Sequence, residues 1–302
     1  HLTAKDGLRG NQNGHVALGA GVINHCHANG VNLGFGNSKP LASGGRLADH
    51  GAMETSAPIL LIAGSAEAHE IAAQIAQTSQ KLQAILRRAE RSFGPLAVPS
   101  QIWTPGSVEE MKKFLIDRKI TAICDAGHGF DSDIADLAVA AAHDLALPYA
   151  RVMRPVWPVK APVLRARSVA DAAAMIRPGA RVFAATGRGT VGQFAPFAGD
   201  TLFLRQTSTG ARTPLPDFAE PVYGTPPFSV DEEITLFETL GIDTLICRNV
   251  GGNPSRPKLD AAMRLGLRMI VIDRPAPPEN APLLKTTDDA LRWIKALGAS
   301  AG

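Results

Sequence analysis

Ile59-Leu60-Leu61-Ile62-Ala63-Gly64-Ser65-Ala66-Glu67-Ala68, running on to Thr78, is the stretch that decides how this chain folds. Its five leading apolar residues are strand-length, and the segment after the turn places Ile71, Ile75 and Ala76 on one helical face. Gly64-Ser65-Ala66 is the turn of a βα unit. Downstream the alternation continues. Leu82 to Leu86, Ser100 to Trp103, Thr121 to Cys124 and Tyr149 to Val152 read as strands, with helices over Val108 to Arg118 and Asp133 to Leu145. A second series interleaves strands Arg181 to Ala185, Thr201 to Leu204, Thr244 to Cys247 and Arg268 to Ile272 with helices Val169 to Ile176, Val191 to Phe197, Val230 to Leu240, Lys258 to Leu265 and Asp288 to Leu297. Parallel neighbours need crossovers, so this pattern specifies an α/β fold of two Rossmann-like domains with mostly parallel sheets facing a central cleft. The Pro-rich run Arg154 to Pro162 divides residues 53–157 from residues 158–302. At roughly 100 and 140 residues, each half is expected to fall short of a complete six-stranded dinucleotide fold.

Composition bounds the function. The chain has 302 residues, 45% of them hydrophobic and 20% charged, the balance of a globular protein. No apolar run approaches the ~18 residues of a membrane-spanning helix, so no membrane role is expected. A net charge of +3 without a long Lys/Arg run gives nucleic-acid binding no support. Cys26, Cys124 and Cys247 lie far apart with no CxxC spacing, which encodes neither a disulfide framework nor a zinc site. A reducing, cytoplasmic setting is expected, with Cys124 and Cys247 in the core. Residues 1–52 differ from the rest: they hold five of the eight histidines and many Gly and Asn, without a sustained period. They are expected to be a disordered leader ahead of Met53. His25-Cys26-His27 within them lacks anything to orient it as a metal site, and no metal is expected.

The strand ends carry the chemistry, because ligands of parallel sheets bind beyond the carboxyl ends of strands. In Gly64-Ser65-Ala66-Glu67, glycine lets backbone approach a ligand and the helix N-terminus offers N–H groups to phosphate. It is not G-x-G-x-x-G, and a plain turn would share its composition. Asp125-Ala126-Gly127-His128-Gly129-Phe130 puts a carboxylate, an imidazole and two glycines together, with capping and packing as the alternative roles. Arg151 and Arg154 flank the domain junction, Thr186-Gly187-Arg188 ends another strand, and Arg248-Asn249-Val250-Gly251-Gly252 is followed by Lys258 and Asp273-Arg274-Pro275. Arg91, Arg151, Arg188, Arg248 and Arg274 would converge on one edge, which suits a polyanion held by bidentate guanidinium groups. No G-x-S-x-G, HExxH or paired-carboxylate spacing supports hydrolysis.

Taken together, from Ile59 to Trp293, these motifs resemble the precorrin-6A reductase family of cobalamin biosynthesis. The opening strand and Gly64-Ser65-Ala66-Glu67-Ala68 resemble the family's G-[TS]-x-E-A loop, and Asp125 to Phe130 its D-A-T-H-P-[FY], with threonine and proline replaced. P-Y-x-R-x-x-R-P-x-W is intact at Pro148 to Trp157, and T-G-R at Thr186 to Arg188. K-N-S-G-G appears as Arg248 to Gly252, and S-L-A-G-R-T only as the alanine, arginine and hydroxyl of Arg87 to Ser92. The resemblance implies NADPH-dependent reduction of one carbon–carbon double bond of precorrin-6A to give precorrin-6B. It implies Gly64, Ser65, Glu67, Asp125, Gly127 and His128 at the cofactor. It likewise implies Arg151, Arg154, Arg188, Arg248, Asn249, Gly251, Gly252, Lys258 and Arg274 around the carboxylates of a tetrapyrrole. After strand two, arginine and hydroxyl groups favour the 2′-phosphate of NADP, so Arg91 and Ser92 are expected to contact it with Arg88 assisting. His128 is a candidate proton donor, alongside water and macrocycle tautomerism. The alternatives are an NADH-linked cobalt-precorrin-6A reductase and a non-catalytic cytoplasmic binder of an anionic small molecule. A monomer or weak homodimer is expected.

Overall fold

The computed structural model describes residues 57–88, 94–207, 214–279 and 281–299. The expected leader lies outside these residues, as do Cys26, Arg91 and Ser92. In chain order the elements are β1 (Ile59–Ala63), α1 (Ala66–Ile75), β2 (Leu82–Leu86), β3 (Ser100–Ile102), α2 (Val108–Asp117), β4 (Ala122–Ala126), α3 (Ser132–Asp144) and β5 (Tyr149–Val152). They continue with β6 (Leu164–Ala166), α4 (Val169–Ala174), β7 (Arg181–Ala185), a 3₁₀ helix (Arg188–Phe194), β8 (Thr201–Gln206), β9 (Ala219–Tyr223) and α5 (Val230–Thr239). The last are β10 (Thr244–Arg248), α6 (Pro257–Arg264), β11 (Arg268–Ile272), β12 (Leu283–Leu284) and α7 (Thr287–Ala299).

Helix starts follow from serine. Ser65, Ser107, Ser168 and Ser229 each accept a hydrogen bond from the N–H three residues on, at 3.3, 3.2, 3.0 and 3.2 Å. Such a cap is worth about 1 kcal/mol. At Ser229 the Glu232 carboxylate returns the bond to the Ser229 N–H, completing a capping box. All five residues of β1 and of β4 are buried, as strands covered on both faces must be.

Both sheets are six-stranded and every pairing is parallel. Residues 53–157 thus supply only five strands of their sheet, as expected, whereas residues 158–302 hold all six strands of the second, against expectation. The first sheet runs β3-β2-β1-β4-β5-β12 and the second β9-β8-β7-β10-β11-β6. In each, five strands follow the doubly wound order; the sixth strand of the first sheet, β12, comes from residues 158–302, and that of the second, β6, precedes the other five in the chain. β6, which follows β5 in the chain, pairs with β11. β12, which follows β11, pairs with β5, and α7 packs on α1. Residues 283–299, expected in the second domain, thus belong to the first sheet. The three unforeseen strands, β6, β9 and β12, are all at sheet edges, and β9 contains Pro221, which only an edge tolerates. The helix expected near Val191 to Phe197 is the 3₁₀ helix Arg188–Phe194. Among the described residues no helix is long and apolar enough to cross a membrane, and no group of three or more His, Cys, Asp or Glu could hold a metal ion. Cys124 and Cys247 are buried and unpaired, as expected, and burial pushes their thiols up to about 12 and about 11.

Candidate functional site

Two crossovers, residues 153–163 and 273–282, carry the chain between the sheets, and each begins at the carboxyl end of a strand. They touch there: Arg274 Nη1 donates to the Arg154 carbonyl at 2.9 Å. This contact gathers the ends of β1, β4, β5, β10 and β11 into one junction. Gly64 follows β1, and a Cβ on it would lie 2.9 Å from the His128 nitrogen, so only glycine lets this loop close on the loop after β4. Ser65 fastens the same loops by donating to the Ala126 carbonyl at 2.8 Å while it caps α1. Glu67 sits in the first turn of α1 and meets Arg154 at 3.4 Å. From the first sheet, Phe130 reaches into the core of the second and underlies Arg248, whose guanidinium lies 5.0 Å from its ring centre. A Cβ on Gly129 would press on Arg274 Cδ at 2.8 Å.

Not every expected residue faces this junction. Asp125 is fully buried: its carboxylate accepts from Gly127 N at 2.9 Å, Tyr149 Oη at 2.7 Å and Arg151 Nη1 at 2.5 Å. Arg151 is 2% exposed, and its remaining terminal nitrogen reaches the His128 carbonyl at 3.4 Å. The expected substrate arginine is therefore an interior prop beneath the His128 loop, and Asp125 and Gly127 complete that prop. Asn249, also expected at the substrate, is buried, with its amide accepting from Trp157 N at 2.9 Å and donating to Trp157 O at 3.0 Å. It splints the first crossover. Gly251 and Gly252 have φ of 70° and 72°, and the Trp157 indole donates to the Gly252 carbonyl at 2.8 Å.

Arg154, Arg188, Arg248 and Arg274 stay half-buried at the carboxyl edges. Of these four, only Arg154 has an ion pair among the described residues. Burial lowers the pKa of Arg248 and Arg274, and for Arg274 the neighbouring Arg151 and Arg154 lower it further. Cations so placed gain from an anionic ligand. Lys258 lies deeper, with Nζ donating to the Ser255 carbonyl at 2.5 Å and burial drawing its pKa down. Near it is a pair that sequence reasoning missed: Arg205 and Glu233 at 2.5 Å, with the guanidinium 4.9 Å from the Phe183 ring and 4.2 Å from Phe228. The signal was Glu233 on the apolar face of its helix, one turn before buried Phe237. At the carboxyl end of β2, Arg87 pairs with Asp133 and, at 3.5 Å, with Asp131, while Arg88 is exposed and 3.7 Å from Asp131. A cavity of about 1040 Å³ opens at the opposite, amino edge of the second sheet, between Lys160–Val163 and Asp243–Thr244. There Arg268 donates to the Met175 carbonyl at the end of α4, at 3.4 Å.

Two doubly wound sheets with an arginine-rich junction at their carboxyl ends define a two-lobed protein of the Rossmann class. The family model described as precorrin-6x reductase CbiJ/CobK matches residues 58–295. A precorrin-6A reductase of Mycobacterium tuberculosis (strain ATCC 25618 / H37Rv) is 30% identical over 241 residues, spanning 79% of this chain and 98% of that protein. The precorrin-6A reductase of Rhodococcus erythropolis is 31% identical over 252 residues, with the same shares covered. A solved structure titled CobK precorrin-6A reductase superposes with a TM-score of 0.72 at 27% identity, over 81% of this chain and 98% of that one. The chain belongs to the precorrin-6x reductase CbiJ/CobK family, as its motifs suggested.

Proposed function

We propose that this protein reduces one carbon–carbon double bond of precorrin-6A with NADPH, giving precorrin-6B. The observation that carries the reading is the junction itself, where Arg248 and Arg274 have no ion pair among the described residues and Arg154 meets Glu67 alone, beside the β1 and β4 loops. The residues fit a dinucleotide. The sheet reverses its winding between β1 and β4, Gly64 keeps the loop tight, and the N-terminus of α1 faces that point. Glu67 in that first turn would oppose a phosphate, and Arg154 beside it offsets the charge. The nucleotide, when bound, supplies hydride. The chain's own part is to grip the macrocycle's carboxylates, hold its reacting face and exclude water. Anaerobic incubation with precorrin-6A and NADPH, followed by the macrocycle's absorbance, tests this. Nucleotide oxidation without a macrocycle change, or no oxidation at all, would leave a binder of an anionic small molecule.

Two variants probe the assignment. Arg154→Ala is expected to raise KM for precorrin-6A about tenfold or more, since a charge-assisted bond is worth about 1.5–3 kcal/mol. Unchanged KM would make Arg154 only a fastener of the crossover. Arg88, exposed and with Asp131 at 3.7 Å as its nearest carboxylate, is the described cation after β2 best placed to meet a 2′-phosphate, because Arg87 is committed to Asp133. Arg88→Ala is expected to raise KM for NADPH about fivefold and leave NADH unaltered, within the range of one exposed charge-assisted contact. Equal loss with both nucleotides would favour the NADH-linked cobalt-precorrin-6A reductase.

A further inference from the structure

His128 stands in the loop after β4, within electrostatic reach of Arg248 at the end of β10. Its backbone packs under Gly64, and its carbonyl is held by buried Arg151 at 3.4 Å. Its ring is fixed as well: the Phe130 N–H donates to Nδ1 at 3.2 Å. An accepting Nδ1 has no proton, so a neutral ring carries its hydrogen on Nε2. Burial, first, and then Arg248, Arg88 and Arg154 disfavour the imidazolium, while Asp131 alone favours it, and the outcome is a pKa below the ordinary histidine value. Protonation would also put a hydrogen on Nδ1 and break the bond from Phe130.

We propose that His128 is a neutral, directional hydrogen-bond donor to the nicotinamide end of the dinucleotide, and not the acid that protonates the macrocycle. The proposal rests on the dinucleotide reading above. In a doubly wound sheet the adenosine half lies over β2, so the nicotinamide half lies over β4, where His128 stands. A neutral Nε2–H suits a neutral oxygen there, either a ribose hydroxyl or the carboxamide carbonyl. The proton that balances hydride addition, delivered to the partner carbon of the double bond, then comes from water.

NADPH fluorescence titration of the full chain without macrocycle, at pH 6.5 and 8, gives the test. His128→Ala is expected to weaken NADPH about tenfold, and His128→Gln, whose amide N–H can stand in for Nε2–H, to stay within about threefold of wild type. Wild-type affinity should not change between the two pH values. In protein carrying ¹⁵N-histidine, the His128 shifts should report a bare Nδ1 and a protonated Nε2 across that range. Unchanged NADPH affinity in His128→Ala overturns the proposal, whether activity survives or KM for precorrin-6A rises instead. A kcat that falls as pH rises through neutrality, in step with loss of the Nδ1 proton and absent from His128→Gln, overturns it in favour of an acid. Failure of the wild type to bind either nucleotide would instead remove the reading on which it rests.

Discussion

Arg151→Ala is expected to lower stability by about 3–5 kcal/mol, the cost of leaving one member of a buried ion pair alone. For a chain of this size that is a fall in Tm of roughly 6–20 °C. The cause is Asp125. It has no solvent to turn to, and of its three donors Arg151 alone brings a charge. Burial and the adjacent Asp125 push the Tyr149 phenol well above its ordinary range, so it donates a neutral hydrogen bond and cannot replace the guanidinium. Removing both charges should cost less. In Asp125→Asn with Arg151→Met, the Asn oxygen still accepts from Gly127 while its amide N–H can donate to the Tyr149 hydroxyl, and more than half of the lost stability should return. Thermal unfolding of the two variants settles the point. A wild-type Tm for Arg151→Ala together with a raised KM for precorrin-6A would put Arg151 on the substrate after all.

That reassignment shows where the sequence is legible and where it is not. Periodicity locates β1, α1, β4 and the helices between them, because each buries a continuous apolar face. It cannot show that β6 joins the second sheet and β12 the first. Strands of three and two residues carry no period, and their partners lie on the far side of the chain. The motifs locate the junction, since strand ends converge by topology alone. They do not tell a ligand arginine from a structural one. Arg151 and Arg154 are three residues apart, yet Arg151 lies within β5, where Asp125 and Tyr149 enclose it, and Arg154 lies beyond the strand in the open crossover. Asn249 looked like a ligand residue for the same reason. Its actual partner, the backbone of Trp157, is 92 positions away.

The same crossover makes Gly251 the most sensitive glycine at the junction. A Cβ there would lie 2.1 Å from the Pro155 carbonyl oxygen and 3.0 Å from its carbon, both backbone atoms that no rotamer can move. Nor can the crossover retreat easily. Asn249 grips it at Trp157, Arg274 holds the Arg154 carbonyl, and the Trp157 indole is tied to Gly252. Its φ of 70° adds the left-handed penalty of any L-residue, about 1–2 kcal/mol. Gly251→Ala is therefore expected to cost about 3 kcal/mol or more, at the upper end of single substitutions. KM for precorrin-6A should rise as well, because Arg154 moves with Pro155. Gly266 supplies the control: its φ is 64°, but nothing lies within 4 Å of a Cβ there. Gly266→Ala carries the backbone penalty without the collision and should cost about 1–2 kcal/mol, with KM unchanged. The difference between the two variants in thermal unfolding measures the close approach of turn and crossover. Equal losses of stability would mean that the crossover yields, and that Arg154 is not held in place by the turn it packs against.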